Sequence, residues 1–87
     1  MKLILCPKCS DVVKFGMRKK RYCRCKKSWA KYIDEINGVY GGEGIPVCLG
    51  NSSLIDAIRN RPESGYGDNF QAWVPPAECS TIRKVGK

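Results

Sequence analysis

The sequence has 87 residues, of which 43% are hydrophobic and 28% charged, and its formal net charge is +8. This length favours one domain with a small core, and the composition excludes a disordered, collagen-like or membrane-spanning chain. The charge is uneven: residues 1–31 contain 11 basic residues and one acid, whereas residues 32–87 contain 5 basic and 7 acidic residues. The N-terminal part is therefore expected to attract nucleic acid or an acidic protein surface.

The N-terminal part is predicted to form two hairpin-like segments, each of which carries a close cysteine pair to its tip. Strands are predicted over residues 2–5 and 11–15, and residues 22–25 are predicted to return as a third strand or turn. Gly16 permits a turn between them. The basic run 18–21 is then expected at a solvated tip.

The rest of the chain is predicted to form a small antiparallel sheet with one helix. Residues 28–36 favour a strand, and Asn37-Gly38 favours a type I′ turn that returns residues 39–40 antiparallel to it. Residues 41–44 are predicted to form a flexible break or bulge, and residues 45–49 a strand in which Pro46 suits an edge or a strand start. A helix at 52–61, a last strand at 70–74 and a loose tail at 80–87 are predicted to follow.

The helix has a start signal, an apolar stripe and a stop signal. A side-chain oxygen of Asn51-Ser52-Ser53 can accept from the free N–H groups of the first turn, and Ser53 with Asp56 resembles a capping box. Leu54, Ile55 and Ile58 form the stripe, and Pro62 ends the helix.

Two close cysteine pairs point to a metal. Cys6 and Cys9 are separated by two residues, Cys23 and Cys25 by one, and thirteen residues lie between the pairs. Zn²⁺ takes four thiolates tetrahedrally, and two turns that each present two sulfurs complete such a shell. The sequence therefore predicts a structural Zn²⁺ site. Zinc ribbons often carry Gly after a cysteine pair, where this chain has Ser10 and Lys26.

Other interpretations of the cysteines stay open. Iron also binds four cysteines, although rubredoxin-type pairs usually both have two intervening residues. Without a metal, the cysteines are ordinary thiols, or disulfides in an oxidising compartment. Cys48 and Cys79 are expected to be small buried apolar residues. Their alternatives are a nucleophile or a substitute metal ligand.

The sequence argues against an enzyme and against a small-molecule substrate. The chain contains no histidine, so the commonest general base is missing. The acidic residues show no pattern that marks a catalytic pair. The glycine-rich stretch 41–44 lacks the Gly-Lys-Ser/Thr ending of a phosphate loop.

A run of basic residues around the second cysteine pair has two interpretations. Together with Tyr22 and Trp29 it suits phosphate contact combined with base stacking, or contact with an acidic partner. Alternatively the run is a solvated hairpin tip, and the two aromatic residues support a small core. The candidate binding residues are Arg18, Lys19, Lys20, Arg21, Arg24, Lys26 and Lys27.

The start of the chain does not match a secretory signal, because the apolar run Leu3–Leu5 is too short and Pro7-Lys8 follow Cys6. We expect neither a signal peptide nor a membrane partner. The expected location is the cytoplasm, where thiols stay reduced and close cysteines serve as metal ligands.

The cysteine pattern resembles that of zinc ribbons. More of the chain, to about Cys79, is similar to small uncharacterised bacterial and phage proteins with an N-terminal zinc ribbon. This resemblance implies a bacterial cytoplasm and a bacterial or phage origin, and it brings no established activity. The residues that carry it are Met1-Lys2-Leu3-Ile4, Cys6-Pro7-Lys8-Cys9, Asp11-Val12-Val13, Cys23-Arg24-Cys25, Ser28, Tyr32, Asp34, Asn37, Tyr40, Gly42 and Asn51-Ser52-Ser53-Leu54.

The sequence as a whole predicts a single α+β domain over residues 1–87. Its zinc-ribbon part spans 1–31, and the sheet and helix span 32–79. The leading functional hypothesis is a non-catalytic protein-binding module, an inhibitor or adaptor of a larger nucleic-acid-handling machine encoded by phage or host. Its alternative is direct DNA or RNA binding through the basic N-terminal hairpin, and an iron electron carrier is a third.

Overall fold

The computed structural model describes residues 1–85 and confirms the α+β class, with one helix and nine short strands within that range. The strands form two sheets rather than the single small sheet expected. The elements are β1 (Lys2–Leu5), β2 (Val12–Lys14), β3 (Gly16–Met17), β4 (Arg21–Tyr22), β5 (Ser28–Tyr32), β6 (Gly38–Gly42), β7 (Ile45–Leu49), α1 (Asn51–Arg59), β8 (Ala72–Trp73) and β9 (Ile82–Lys84).

The first sheet has the order β2-β1-β7-β8 and is antiparallel throughout. The second has the order β3-β5-β6-β9, and β4 also pairs with β5. In this second sheet β3 runs parallel to β5 and β9 runs parallel to β6, so it is mixed. The chain crosses between the sheets after β6. Gly42 there has a φ of 75°, a backbone conformation that is strained for residues with a side chain.

The core contains residues of both sheets. Ile4 and Cys48 come from the first sheet, whereas Ala30 and Ile82 come from the second, and all four are at most 7% exposed. Phe15, which connects β2 to β3, completes the cluster, and its ring centroid lies 5.6 Å from that of Tyr32. Burial of apolar side chains from both sheets therefore stabilises their packing against each other.

The C-terminal residues are not a loose tail, as the sequence suggested. Strand β9 pairs with β6, and Gly38 donates its backbone N–H to the Thr81 oxygen at 2.8 Å. Ile82 is only 4% exposed and belongs to the core. The pattern was missed because a three-residue strand shows almost no periodicity. The predicted tail also included residues 86–87, which lie outside the described range.

The hairpin between β5 and β6 exists, but its turn differs from the prediction. Tyr32 pairs with Gly38, so a five-residue loop replaces the two-residue type I′ turn. The Asp34 carboxylate accepts hydrogen bonds from the Asn37 side chain and from the backbone N–H groups of Asn37 and Ile36, at 2.7–2.8 Å. These bonds lower the pKa of Asp34 to about 2. Asp34 thus closes this loop, and its charge persists throughout the neutral pH range.

The helix begins without the predicted side-chain cap. Its N-cap is Gly50, and no side chain accepts a hydrogen bond there. Ser53 instead donates its hydroxyl to the Gly50 oxygen and accepts the Gln71 N–H, both at 2.9 Å. Helix α1 contains no fully buried residue, and Ile55 and Ile58 are 47% and 50% exposed. Its apolar stripe is therefore largely open to solvent.

The predicted last strand at residues 70–74 is reduced to the two residues of β8. Phe70, Trp73 and Val74 are each more than 40% exposed. Within residues 1–85, no helix has the length and apolar character needed to cross a membrane.

Candidate metal centre and basic groove

The two cysteine pairs occupy turns that leave different sheets. Cys6 and Cys9 follow β1 in the first sheet, whereas Cys23 and Cys25 lie between β4 and β5 in the second. The two turns use similar backbone hydrogen bonds. Cys6 donates to the Asp11 oxygen at 2.9 Å, and Cys23 donates to the Ser28 oxygen at 3.0 Å. Each N–H group thus ties a cysteine to the start of the next strand, at Ser28 in β5 and at Asp11 just before β2.

The residues after the two pairs adopt the conformation that glycine often supplies in zinc ribbons. Ser10 has a φ of 60° and Lys26 has a φ of 65°. The Ser10 N–H donates to the Cys6 oxygen at 2.7 Å, and the Lys26 N–H donates to the Cys23 oxygen at 3.0 Å. The departures from glycine therefore leave both turns intact, at the cost of left-handed backbone strain.

Replacing Ser10 with glycine should tighten metal binding. Ser10→Gly relieves the strain but loosens the unfolded chain, for a net gain of about 0.5–1 kcal/mol. Where metal binding and folding are coupled, this gain increases the affinity for Zn²⁺ about two- to fivefold. A competition titration with a chromophoric chelator measures it.

Ser10→Ala is the matched control, because alanine removes the same exposed hydroxyl but keeps the strained φ. Its Zn²⁺ affinity should not rise. An equal gain in both variants would mean that the hydroxyl, rather than the backbone conformation, opposes binding.

The four sulfurs cluster at distances suited to one metal ion. Cys6 Sγ lies 3.7 Å and Cys23 Sγ lies 3.6 Å from Cys25 Sγ. All four ligand atoms, including that of Cys9, lie within 4.8 Å of one another. Zn–S bonds of about 2.3 Å in a tetrahedron place sulfurs about 3.8 Å apart. The predicted ligand set is therefore brought together in a geometry that fits tetrahedral coordination.

The titration behaviour of the cluster also favours a cation. Side-chain interaction with Ser28 is the main influence that lowers the pKa of Cys6 to about 6. The Lys27 backbone amide lowers the pKa of Cys25, but burial and the three other cysteine sulfurs outweigh it and raise this pKa to about 12. The pKa values of Cys6 and Cys23 are thus lowered, whereas that of Cys25 is raised by burial and by neighbouring sulfurs that repel a further negative charge. A bound divalent cation would offset that repulsion.

Ser28 is a buried hydroxyl next to this cluster. It is 0% exposed, and its Oγ has no hydrogen-bond partner of acceptable geometry in the described range. Ser28 therefore acts on Cys6 as a nearby dipole rather than through a formed hydrogen bond. A metal-bound Cys6 thiolate would provide an acceptor for the otherwise unpaired hydroxyl.

Arg24 links the two metal-binding turns. Its backbone N–H donates to Asp11 Oδ2 at 2.8 Å, and its Nη2 donates to the Cys9 oxygen at 2.9 Å. Arg24 therefore supports the metal centre, in addition to contributing positive charge at the surface.

A cationic groove lies beside the second cysteine pair. Its volume is about 620 Å³, within the roughly 300–1,000 Å³ range of clefts that enclose small ligands. Lys20 Nζ lies 4.2 Å from the centroid of the Trp29 ring, a cation–π contact that positions this ammonium group. The groove is lined by Lys20, Tyr22, Lys26, Lys27, Trp29, Gly42, Glu43 and Lys84.

The structure brings together only part of the predicted basic set. Lys20, Lys26 and Lys27 line the groove. Arg18 lies in a separate depression beside Lys31 and Tyr32. The remaining predicted residues, Lys19, Arg21 and Arg24, are exposed but do not line the groove.

The sequence offers Lys84 as an extension of the basic surface but does not predict its place in the groove. This lysine reaches the groove because β9 pairs with β6, where Lys84 lies opposite Tyr40. No local signal marks this long-range pairing, although a positive charge near the C-terminus is visible in the sequence. Glu43 is the acidic residue among the groove-lining residues, so it opposes the lysines.

The two remaining cysteines lie away from the metal centre. Cys48 is 7% exposed and belongs to the core, and burial raises its pKa. Cys79 packs against that core, and its Sγ lies 3.6 Å from the Thr81 hydroxyl, which lowers its pKa. Cys48 is thus the buried residue that was expected, whereas Cys79 is only partly buried.

Among known proteins, no family model, curated protein or solved structure is significantly similar to the chain. The resemblance to small bacterial and phage proteins therefore stays a hypothesis. The four-cysteine cluster, which suits a zinc ribbon, rests on the geometry of this structure.

Proposed function

We propose that the protein is a non-catalytic module, stabilised by a structural Zn²⁺, that binds nucleic acid through its cationic groove. Zinc is preferred to iron because Zn²⁺ has no geometric preference from its d-electrons, whereas rubredoxin-type iron pairs usually both have two intervening residues and Cys23 and Cys25 have one. The observation that carries the binding function is the convergence of four lysines, Lys20, Lys26, Lys27 and Lys84, on one groove that also holds aromatic residues.

Physical chemistry supports nucleic acid as the partner of this groove. Phosphates contacted by lysines release condensed counterions, which supplies most of the affinity when no sequence is recognised. The groove faces solvent beside the cysteine cluster, and the cation–π contact with Trp29 positions Lys20 before binding. Glu43 reduces the groove's formal charge to +3, which still favours a polyanion.

A salt titration of the Zn²⁺-loaded protein tests this function. Four phosphate contacts should make binding roughly 50- to 150-fold weaker at about 200 mM salt than at about 50 mM. A variant with Lys20, Lys26 and Lys27 changed to Ala keeps one contact, so its loss should be only about threefold. Fluorescence anisotropy with a labelled oligonucleotide measures both.

The matched control changes Lys14, Arg59 and Arg61 to Ala, which removes the same charge from exposed positions outside the groove. Its affinity should stay close to that of the parent protein. If both triple variants weaken binding equally, net charge rather than the groove accounts for it. Absence of binding at the lower salt concentration would exclude the proposed function.

Protein binding is a second candidate, and a different surface favours it. Helix α1 and strand β8 expose Ile55, Ile58 and Trp73, each about half accessible. Exposed apolar side chains on neighbouring elements are typical of protein-contact surfaces. An inhibitor or adaptor of a nucleic-acid-handling machine would use this surface.

A pull-down from host lysate tests this candidate. A partner recovered by the parent protein but lost with Ile55→Glu and Ile58→Glu would support it, whereas recovery of no saturable partner would count against it.

A further inference from the structure

We propose that the groove selects single-stranded over double-stranded nucleic acid, with an unstacked base on Tyr22 and phosphates on the lysines, including Lys84. This inference rests on the proposed nucleic-acid function and adds the class of strand and the position of the base. It depends on which aromatic ring of the groove is accessible.

Trp29 is not available for stacking. Its side chain is 8% exposed, and the Lys20 ammonium lies 4.2 Å from its ring centroid. The backbone of Gly41 packs against the same indole, since a Cβ at Gly41 would lie 2.5 Å from Trp29 Nε1. The indole therefore serves as a support for Lys20 and for strand β6, and a base cannot lie flat on it.

Tyr22 is the accessible aromatic residue of the groove. It lies on β4, which pairs with β5 at the side of the sheet, and it is 46% exposed. Lys20 is two residues away, and Lys26 and Lys27 follow the adjacent metal-binding turn. A base on this ring would thus have positive charge close to its own phosphate group.

An exposed ring beside lysines distinguishes the two forms of nucleic acid. In a duplex each base already stacks on its neighbours, so Tyr22 gains nothing unless the duplex opens. In a single strand the base faces are free, and stacking on an aromatic side chain is favourable for every base type. The tyrosine therefore adds affinity for single strands alone, whereas the lysines serve both forms.

Lys84 extends the phosphate-binding surface across the second sheet. Lys20 enters the groove next to β4, at one side of β5, whereas Lys84 belongs to β9, beyond β6. The lysines consequently come from opposite sides of the β5–β6 pair. A strand that lies along the groove can contact both sides, which suits a flexible backbone better than a rigid helix.

The test compares a labelled 12-nucleotide oligothymidine with a 12-base-pair duplex, using the full-length Zn²⁺-loaded protein at about 50 mM salt. The parent protein should bind the single strand more tightly. Tyr22→Leu should weaken single-strand binding about 5- to 150-fold and leave duplex binding unchanged. Tyr22→Phe keeps the ring and should retain nearly all of the affinity.

Two further measurements separate stacking from charge. Lys84→Ala should lower the slope of log affinity against log salt by about 0.7 for the single strand, whereas Lys14→Ala, outside the groove, should not.

Because Tyr22 precedes a metal ligand, Zn²⁺ content and amide spectra must match between variants. In the parent protein, the Tyr22 ring protons should shift upfield in NMR spectra on adding the single strand and not on adding the duplex.

The outcomes separate this inference from the proposed function. Equal affinity for both forms, with no effect of Tyr22→Leu, would overturn the single-strand inference and leave a groove that contacts phosphates only. No binding of either form would overturn both, and the search for a partner would then move to acidic proteins.

Discussion

Removal of the metal by a chelator should unfold both sheets, rather than the N-terminal third alone. Cys6 continues directly from β1 in the first sheet, and Cys23 lies between two strands of the second, so one ion held by the four cysteines would join the sheets. Structural Zn²⁺ contributes about 10–16 kcal/mol to folding in small metal domains at neutral pH, whereas whole domains are stable by about 5–15 kcal/mol. The core is too small to offset that loss.

Circular dichroism and amide NMR spectra before and after chelation, with metal content measured in parallel, test this expectation. Returning Zn²⁺ should restore the folded spectrum. Cys25→Ser should reproduce the effect of the chelator, because Cys25 is an exposed member of the cluster and contributes little packing. Cys79→Ser, at a cysteine outside the cluster, should keep the metal. An unchanged amide spectrum after complete metal removal would contradict the structural role.

Ile82→Ala should destabilise the protein by about 2–5 kcal/mol, the usual range for deleting most of a buried aliphatic side chain. Ile82 is 4% exposed, and it lies opposite Gly38 in the parallel pair of β9 with β6. The loss comprises the burial of the side chain and the cavity left among core residues from both sheets. Such a change is a large fraction of the stability of a domain of this size.

Urea denaturation at fixed free Zn²⁺ concentration measures this effect. Arg83→Ala is the matched control: Arg83 follows Ile82 in the same strand and is exposed, so its replacement should change the stability by no more than about 0.5 kcal/mol. If Ile82→Ala is as mild as Arg83→Ala, the C-terminal residues are a loose tail after all.

The metal cluster could be predicted from the sequence because its information is local. Two cysteines separated by one or two residues reach one ion whatever the rest of the chain does, so spacing alone identifies Cys6, Cys9, Cys23 and Cys25. The same holds for strands β1 and β7, whose positions the sequence predicted at residues 2–5 and 45–49.

Features that depend on distant pairing could not be predicted. The place of β9 follows from its pairing with β6, more than forty residues earlier, and no local pattern encodes this. The loop before Gly38 was predicted as a two-residue turn but has five residues. The side chain of Asp34 accepts hydrogen bonds within this loop, and these compete with the type I′ turn. Glycine at 38 serves the core instead: a Cβ there would lie 2.7 Å from the Phe15 ring.

The groove was predictable only in part. The sequence placed Lys20, Lys26 and Lys27 near each other, but it could not separate them from Lys19 and Arg21, which do not line the groove. Alternation along so short a strand is too brief to assign faces. The sequence also could not decide between Tyr22 and Trp29, because their different exposure follows from packing against β6.

The late position of Ile82 affects how the protein matures on the ribosome. The four cysteines and the turn that ends at Ser28 lie in the first third of the chain, so they leave the ribosome before the residues of β9 do. The core, by contrast, stays open until residues 82–84 have emerged from the exit tunnel and added β9 to β6. We therefore expect an interval during synthesis in which the cysteines are close together while the apolar core is still open to solvent, a state that favours aggregation.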